Sequence, residues 1–178
     1  MAKLRKMLGD INSGTCKALM ALIGTQNHAT IIKWAVGFAS ERYLPLYAQL
    51  RPDETRLNAA VEGCRDYLSG GMKFAALKPV LSEARKLASG EKGEVAQAAA
   101  RAVSTACASA QTPTNAFGFL MYGAAAAAYA RQGLDKPQAV YDAEAKAELQ
   151  AAYESLQAAS VENEPNPVKI DWNCLARK

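Results

Sequence analysis

Residues 102–130, AVSTACASAQTPTNAFGFLMYGAAAAAYA, contain no charged side chain, and this stretch decides the class of the protein. A segment that crosses a bilayer needs about 20 consecutive, strongly apolar residues. The stretch is instead rich in Ala, Ser and Thr and is interrupted by QTPTN at 111–115. Disorder is also a poor description, because alanine has the highest helix propensity and several large apolar residues are interspersed.

Two core helices joined by a tight corner account best for this stretch. Small residues and tyrosines recur at helical spacing in both halves: Ala98, Ala102, Ala106 and Ala110 in the first, and Gly118, Tyr122, Ala125 and Tyr129 in the second. Small side chains allow helix axes to approach towards the lower end of the range of about 8–10 Å. The sequence therefore predicts a buried, alanine-rich hairpin.

Helix signals occur along the rest of the 178 residues, and strand signals are almost missing. Thr25 is expected to cap the second helix, Pro45 to end or kink it, and Pro79 to separate a short turn from the helix that follows. The length suits one domain, for which roughly 100–200 residues are usual. We expect an all-α, single-domain bundle of about six to eight helices over residues 1–178, with an N-terminal arm at 1–14 and an extended tail at 162–178 packed on the bundle.

The charge distribution is uneven but not extreme. Residues 1–90 carry thirteen basic and seven acidic side chains, whereas residues 91–178 carry eight and ten, for a net charge of +4. The basic residues are scattered at helical spacing, as on a solvated surface, rather than concentrated with aromatic residues as in a nucleic-acid binder. We therefore expect neither a nucleic-acid nor a membrane partner.

The chemistry-bearing residues are few. The cysteines Cys16, Cys64, Cys107 and Cys174 form no C-x-x-C pair, and the N-terminus lacks the apolar stretch of a secretory signal, which favours a cytoplasmic protein with reduced thiols. One histidine, His28, and isolated cysteines do not have the spacing of a metal site. A nucleophile elbow and a phosphate-binding glycine loop are both missing. We expect no cofactor, no metal and no catalytic residues.

The C-terminal stretch ENEPNPVKIDWNC, residues 162–174, is distinct from the helical body. Pro165 and Pro167 are incompatible with a helix at this point. Val168, Ile170 and Trp172 alternate, which predicts an extended chain with these side chains turned inward. Pro165, Pro167 and Trp172 are therefore predicted to anchor the tail.

Several motifs occur in an order typical of one family. They are LGDINS at 8–13, RLNAAVEGCRDYL at 56–68, AAARAVSTA at 98–106 and YGAAAAAYA at 122–130, followed by the tail. Over roughly residues 7–174, the chain resembles the immunity proteins of bacterial polymorphic toxin systems, specifically the fifth-type-like group. The resemblance implies a cytoplasmic protein, not an enzyme, that binds and neutralises a cognate toxin.

The resemblance also implies residues for binding the partner. The positions that match the family's charged residues are Arg56, Glu62, Arg65 and Arg101. Family members often have RPR where this chain has Arg56, Leu57 and Asn58, and histidines where it has Arg85, Gln111 and Asn115. A role that depends on those histidines is not expected here.

Two other functions stay open. The bundle could be a homo-oligomer in which exposed alanine-rich faces pair with a second copy. It could instead bind a small molecule in a cavity lined by Arg56, Glu62 and tyrosines. Mimicry of nucleic acid towards a nuclease toxin is disfavoured, because such inhibitors are expected to be acidic.

Overall fold

The computed structural model describes residues 3–176, and these residues form an all-α fold. The helices, in chain order, are α1 (Gly14–Ile23), α2 (His28–Arg42), α3 (Leu44–Leu50), α4 (Arg56–Leu68), α5 (Phe74–Gly90), α6 (Glu94–Ala108), α7 (Asn115–Gln132), α8 (Gln138–Ala159) and α9 (Asn173–Ala176). The last of these is a single turn. The predicted all-α bundle with a central hairpin and a C-terminal tail is thus confirmed.

The α6–α7 hairpin is the centre of the fold, and these two helices make the most extensive contact between any pair. Nearly all residues of α7 from Ala116 to Tyr129 are buried, with Gly118 and Tyr122 partly exposed. Charged side chains occur on the solvent-facing side of a helix, and this part of α7 has almost no such side. This explains why the stretch contains no charged residue. Among the described residues, none of the helices is long and apolar enough to cross a membrane.

Gly123 marks the closest approach of α7 to its neighbours. A Cβ atom placed there would lie 2.2 Å from Cζ and 2.6 Å from the hydroxyl oxygen of the buried Tyr43. At Gly118, on the same helix, the nearest atom to such a Cβ is Thr105 Cγ2 at 4.0 Å. Glycine is therefore required by packing at 123 but not at 118.

A buried carboxylate joins α2, α7 and α8 beside this contact. Glu148 is only 2% exposed and accepts two hydrogen bonds of 2.7 Å from Arg42 and one of 2.9 Å from the Tyr43 hydroxyl. Arg131 Nη2 lies 3.4 Å from Glu148 Oε2. Burial raises the pKa of the Glu148 carboxyl, but the hydrogen bonds and the charges of these arginines outweigh burial and leave the pKa lowered. Glu148 is therefore held as a carboxylate.

Two local predictions about helix ends are wrong, and one is confirmed. Asn27, not Thr25, caps α2 by accepting a hydrogen bond from the N–H of Ala29. The helix ends before Pro45, as predicted, and Pro45 lies in the first turn of α3. Pro79, however, lies inside a continuous α5. This is tolerable because Pro79 and Ala75 are exposed, so that water can bind the carbonyl oxygen that proline leaves unpaired.

The tail from residue 160 to 172 crosses the corner between α1 and α2. The side chain of the buried Gln26 accepts a hydrogen bond from Val161 N–H (2.8 Å) and donates one to Val161 C=O (3.1 Å). The backbone oxygen of Gln26 accepts another from Val168 N–H (2.8 Å). Glu164 accepts hydrogen bonds from Asn27 N–H and from the Thr30 hydroxyl. The tail is thus held by these polar contacts together with Val168, Ile170 and Trp172, which are half-buried against the core as their alternation predicts.

The predicted anchors differ in what they contact. The Trp172 ring lies edge-on to Phe117, with centroids 5.9 Å apart. Pro165 and Pro167 are both exposed, and the backbone of Pro167 forms an isolated bridge with Asn27. The tail was expected to be extended to residue 178, but residues 173–176 form the helical turn α9, and residues 177–178 lie outside the described residues.

Candidate functional site

Three of the predicted partner-binding residues lie on the exposed side of α4. The Arg56 guanidinium pairs with Glu54, with Nη2 and Oε2 2.8 Å apart, and its hydrogen bonds lower the pKa of Glu54 to about 2. Glu62 and Arg65 pair with each other at 2.6 Å, and both are more than half exposed. Arg65 also donates a hydrogen bond to Ser40 on α2. These charges are available at the surface but are already paired.

Arg101 lies elsewhere. Its guanidinium stands over the ring of Tyr122, 5.8 Å from the centroid, and lines a cavity of about 270 Å³ beside the N-terminal arm. Arg56, Glu62 and Arg65 do not contribute to the lining of that cavity. The structure therefore does not bring the four residues together, and their role in binding a partner stays a prediction.

The larger concavity, of about 600 Å³, lies between α5, α6 and the corner that joins α6 to α7. We call it the corner groove, and it is lined by Lys78, Pro79, Leu81, Ser82, Arg85, Ser104, Thr105, Ala108, Gln111, Thr112 and Asn115. Residues 78, 82 and 85 lie on one side of α5, since residues three and four apart share a helix face. The hairpin corner supplies the opposite wall.

The corner groove is cationic. Its lining contains Lys78 and Arg85 but neither aspartate nor glutamate. Both cations are exposed, and neither forms an ion pair or a side-chain hydrogen bond with another residue in the part of the chain that the structure describes. Hydroxyl and amide groups complete the lining. A surface of this kind is suited to carboxylates, which accept strong hydrogen bonds from charged donors.

Three of the positions at which this chain departs from the family pattern meet in the corner groove. Arg85 comes from α5, Gln111 from the corner and Asn115 from the first turn of α7. Ser104 and Ala108 share a face of α6, but Gln111 and Asn115 come after the end of that helix, so helical spacing does not place them on the same wall. Only the fold shows that these residues line the groove together with Arg85.

The cavity beside Arg101 is smaller and more strongly charged. We call it the N-terminal cradle, and its charged lining residues are Lys3, Arg5, Lys6, Arg101 and one carboxylate, Glu94. Arg101 Nε is buried and has no hydrogen-bond partner among the described residues. An unsatisfied buried donor costs about 1–3 kcal/mol, so an acceptor at this position would be stabilising.

Other chemistry-bearing residues lie apart from both concavities. His28 is half-buried and its Nε2 is 2.7 Å from the carbonyl oxygen of Ser109, a contact that joins α2 to the hairpin corner. Cys16, Cys64 and Cys107 are buried free thiols, and Cys174 is exposed. Within residues 3–176, His, Cys, Asp and Glu form no cluster of three or more that could hold a metal ion. The charged groups that line the two concavities are mainly cationic donors, and the hydroxyl and amide groups beside them can donate or accept hydrogen bonds.

Together, the fold and the two concavities define an all-α protein with basic, donor-rich recesses at its surface. Residues 21–159 match the family described as Imm-5 like putative immunity protein, and the chain belongs to that family. The matched region contains the whole corner groove and Arg101, whereas the N-terminal arm and the tail lie outside it. No match was found among curated proteins or among solved structures.

Proposed function

We propose that this protein is a cytoplasmic immunity protein that neutralises a cognate toxin by binding to it, without catalysis. The family match over residues 21–159 is the observation that carries this proposal. The concavities support it, because they offer charged and polar donors for binding and no paired nucleophile and base among the residues that line them.

We place the main contact with the toxin at the corner groove. Among residues 3–176, its two cations are unpaired and no carboxylate lines it, which favours an acidic segment of the partner. The groove is rigid on one side, since its α6 and α7 wall belongs to the buried hairpin. A preformed surface binds more tightly than a flexible one because less conformational entropy is lost.

The charges of α4 are proposed to contribute at the edge of this interface. The helix packs against α5, which forms one wall of the groove. Arg56, Glu62 and Arg65 are exposed and internally paired, so they are expected to affect the association rate more than the affinity.

The proposal is tested by co-expressing the chain with the toxin-like product of a neighbouring gene and measuring growth and complex formation. The double substitution Lys78→Glu and Arg85→Glu is expected to weaken binding about 100-fold, because it replaces attraction by repulsion in the groove. Lys17→Glu, on the exposed side of α1, is the matched control. If no neighbouring product is bound or neutralised, the proposed function is wrong. If the double variant still protects cells, only the assigned surface is wrong.

A homo-oligomer built on the hairpin has less support from the structure. That alternative requires alanine-rich faces that are left exposed, but the alanines 124–128 of α7 are buried within one copy. Light scattering on the purified chain tests it directly. A stable dimer would require a surface other than the hairpin.

A further inference from the structure

The N-terminal cradle has properties that toxin binding by the corner groove does not explain. We propose that it is a binding site for a small polyvalent oxyanion of the phosphate class. The inference does not depend on the proposed immunity function, because the cradle and the corner groove share no lining residue.

Arg101 is the central ligand in this proposal. It lies on α6 between buried residues, and its guanidinium is oriented by the ring of Tyr122, 5.8 Å away. Its Nε–H is buried and has no acceptor among the described residues. A guanidinium forms paired hydrogen bonds with phosphate oxygens through its Nε and Nη atoms. An oxyanion bound by the Nη atoms supplies the acceptor that the protein does not, once a small rotation of the side chain exposes Nε.

The arm brings three further cations to the same cavity. The Tyr129 hydroxyl donates a 2.7 Å hydrogen bond to the carbonyl oxygen of Arg5, and Leu8 N–H donates one of 3.0 Å to Met121 C=O. These contacts fix the backbone of the arm against α7. Within the described residues, Lys3, Arg5 and Lys6 form no ion pairs, and the lining of the cradle contains one carboxylate, Glu94. Arg5 also borders a neighbouring concavity that is lined by Asp10 and Asp142.

The size and charge of the cavity limit the ligand. Its volume is about 270 Å³, below the range of about 300–1,000 Å³ that is typical of sites for drug-sized molecules. Four cations against one carboxylate favour a dianion or trianion over a monoanion. Inorganic phosphate, pyrophosphate or the phosphate group of a small metabolite meets both conditions.

The experiment is a titration of the full ¹⁵N-labelled chain with pyrophosphate at constant ionic strength, followed by NMR of the arginine Nε–H signals. The Arg101 signal is expected to shift and to saturate. Arg101→Gln and, separately, Arg5→Gln are each expected to weaken binding at least about tenfold, measured by calorimetry. Arg85→Gln removes the same charge from the corner groove and should leave pyrophosphate binding unchanged.

Several results would overturn the proposal. One is an Arg101 signal that does not respond or that shifts linearly without saturation. Another is an equal loss of affinity in Arg85→Gln, which would indicate general charge attraction. Equal binding of citrate would replace the phosphate class by polyvalent anions in general. If circular dichroism shows that Arg101→Gln does not fold, the affinity of Arg5→Gln for pyrophosphate becomes the test. Arg5→Gln is expected to fold, because the hydrogen bond from Tyr129 is made to the backbone of residue 5 and is retained.

Failure here is distinguishable from failure of the immunity proposal. Arg5→Gln, outside the matched region, is expected to protect cells from the toxin as well as the unmodified chain does. The groove variant Lys78→Glu with Arg85→Glu is expected to bind pyrophosphate normally. Each variant is therefore the control for the other experiment.

Discussion

The hairpin of α6 and α7 and the tail at 160–172 are stabilised by different forces. The hairpin is buried on nearly all sides. It is held by van der Waals attraction between closely packed small residues, and this attraction has little directional preference. The tail has only a few half-buried apolar side chains and depends more on hydrogen bonds that involve a few polar side chains, chiefly Gln26 and the acceptor Glu164. Hence the hairpin should be sensitive to added volume, and the tail to the loss of single polar groups.

The largest effect is expected from adding one methyl group to the hairpin. Gly123→Ala would place a Cβ 2.2 Å from the Tyr43 ring and push its hydroxyl away from Glu148. Overpacking and the lost hydrogen bond together should lower the free energy of unfolding by about 4 kcal/mol. Urea denaturation of the unmodified chain and of Gly123→Ala measures this difference in the free energy of unfolding.

Gly118→Ala is the matched control on the same helix. The nearest atom to its new Cβ is 4.0 Å away, so higher helix propensity should stabilise the protein by about 0.5–1 kcal/mol. Equal effects of the two substitutions would contradict close packing at Gly123.

The buried carboxylate should give the next largest effect. Glu148→Gln removes the charge that Arg42 and Arg131 face, while it keeps the shape of the side chain. Breaking a buried pair costs about 3–5 kcal/mol, and because Arg42 is 34% exposed we expect the lower end, about 3 kcal/mol. Glu144→Gln, which removes the half-buried partner of Arg131 on the same helix, should cost less than about 1 kcal/mol.

The stability lost in Glu148→Gln should depend on pH. Since the pKa of Glu148 is lower in the folded than in the unfolded chain, its contribution is complete above the unfolded value of about 4.3 and is lost as the pH falls through the folded value. The difference between the unmodified chain and Glu148→Gln should be constant from pH 7 to about 5 and should decrease below about 4. A difference that is as large at pH 3 as at pH 7 would show that charge is not its cause.

The hairpin could be predicted because its signals are local. The absence of charge, the spacing of alanine and the QTPTN corner are all contained in residues 98–130. Helix ends were less certain, because Thr25 and Asn27 are both good caps. Which of the two residues caps α2 depends on contacts with the distant tail. Gln26 binds Val161 of the tail, and Asn27 donates a hydrogen bond to Glu164.

The candidate site could be predicted only in part, for the same reason. Arg56, Glu62, Arg65 and Arg101 were selected by family pattern, which gives no distances, and Arg101 lies in a separate cavity. The corner groove depends on α5 facing the hairpin corner, residues separated by more than twenty positions in the chain. Such proximity is a property of tertiary packing, which periodicity within one helix does not contain.

A polar substitution should open the tail while leaving the hairpin intact. Gln26→Ala removes both hydrogen bonds to Val161, at about 1 kcal/mol each. We expect about 2 kcal/mol of lost stability and faster hydrogen exchange at Val161 and Val168, with unchanged exchange in α7. Gln157→Ala, at an exposed site on α8, is the control. Faster exchange throughout α7 would mean that the tail and the hairpin unfold as one unit.

The smallest effect is expected at the apolar end of the tail. Trp172→Ala removes the edge-on contact with Phe117, but the indole is only half-buried, and such aromatic pairs contribute about 0.5–1.5 kcal/mol. A loss of about 1 kcal/mol is expected, with normal protection of Val161 N–H and with Trp172→Phe restoring most of the stability. If Trp172→Ala instead cost more than Gln26→Ala, apolar burial and not hydrogen bonding would hold the tail, and the contrast between the tail and the hairpin would disappear.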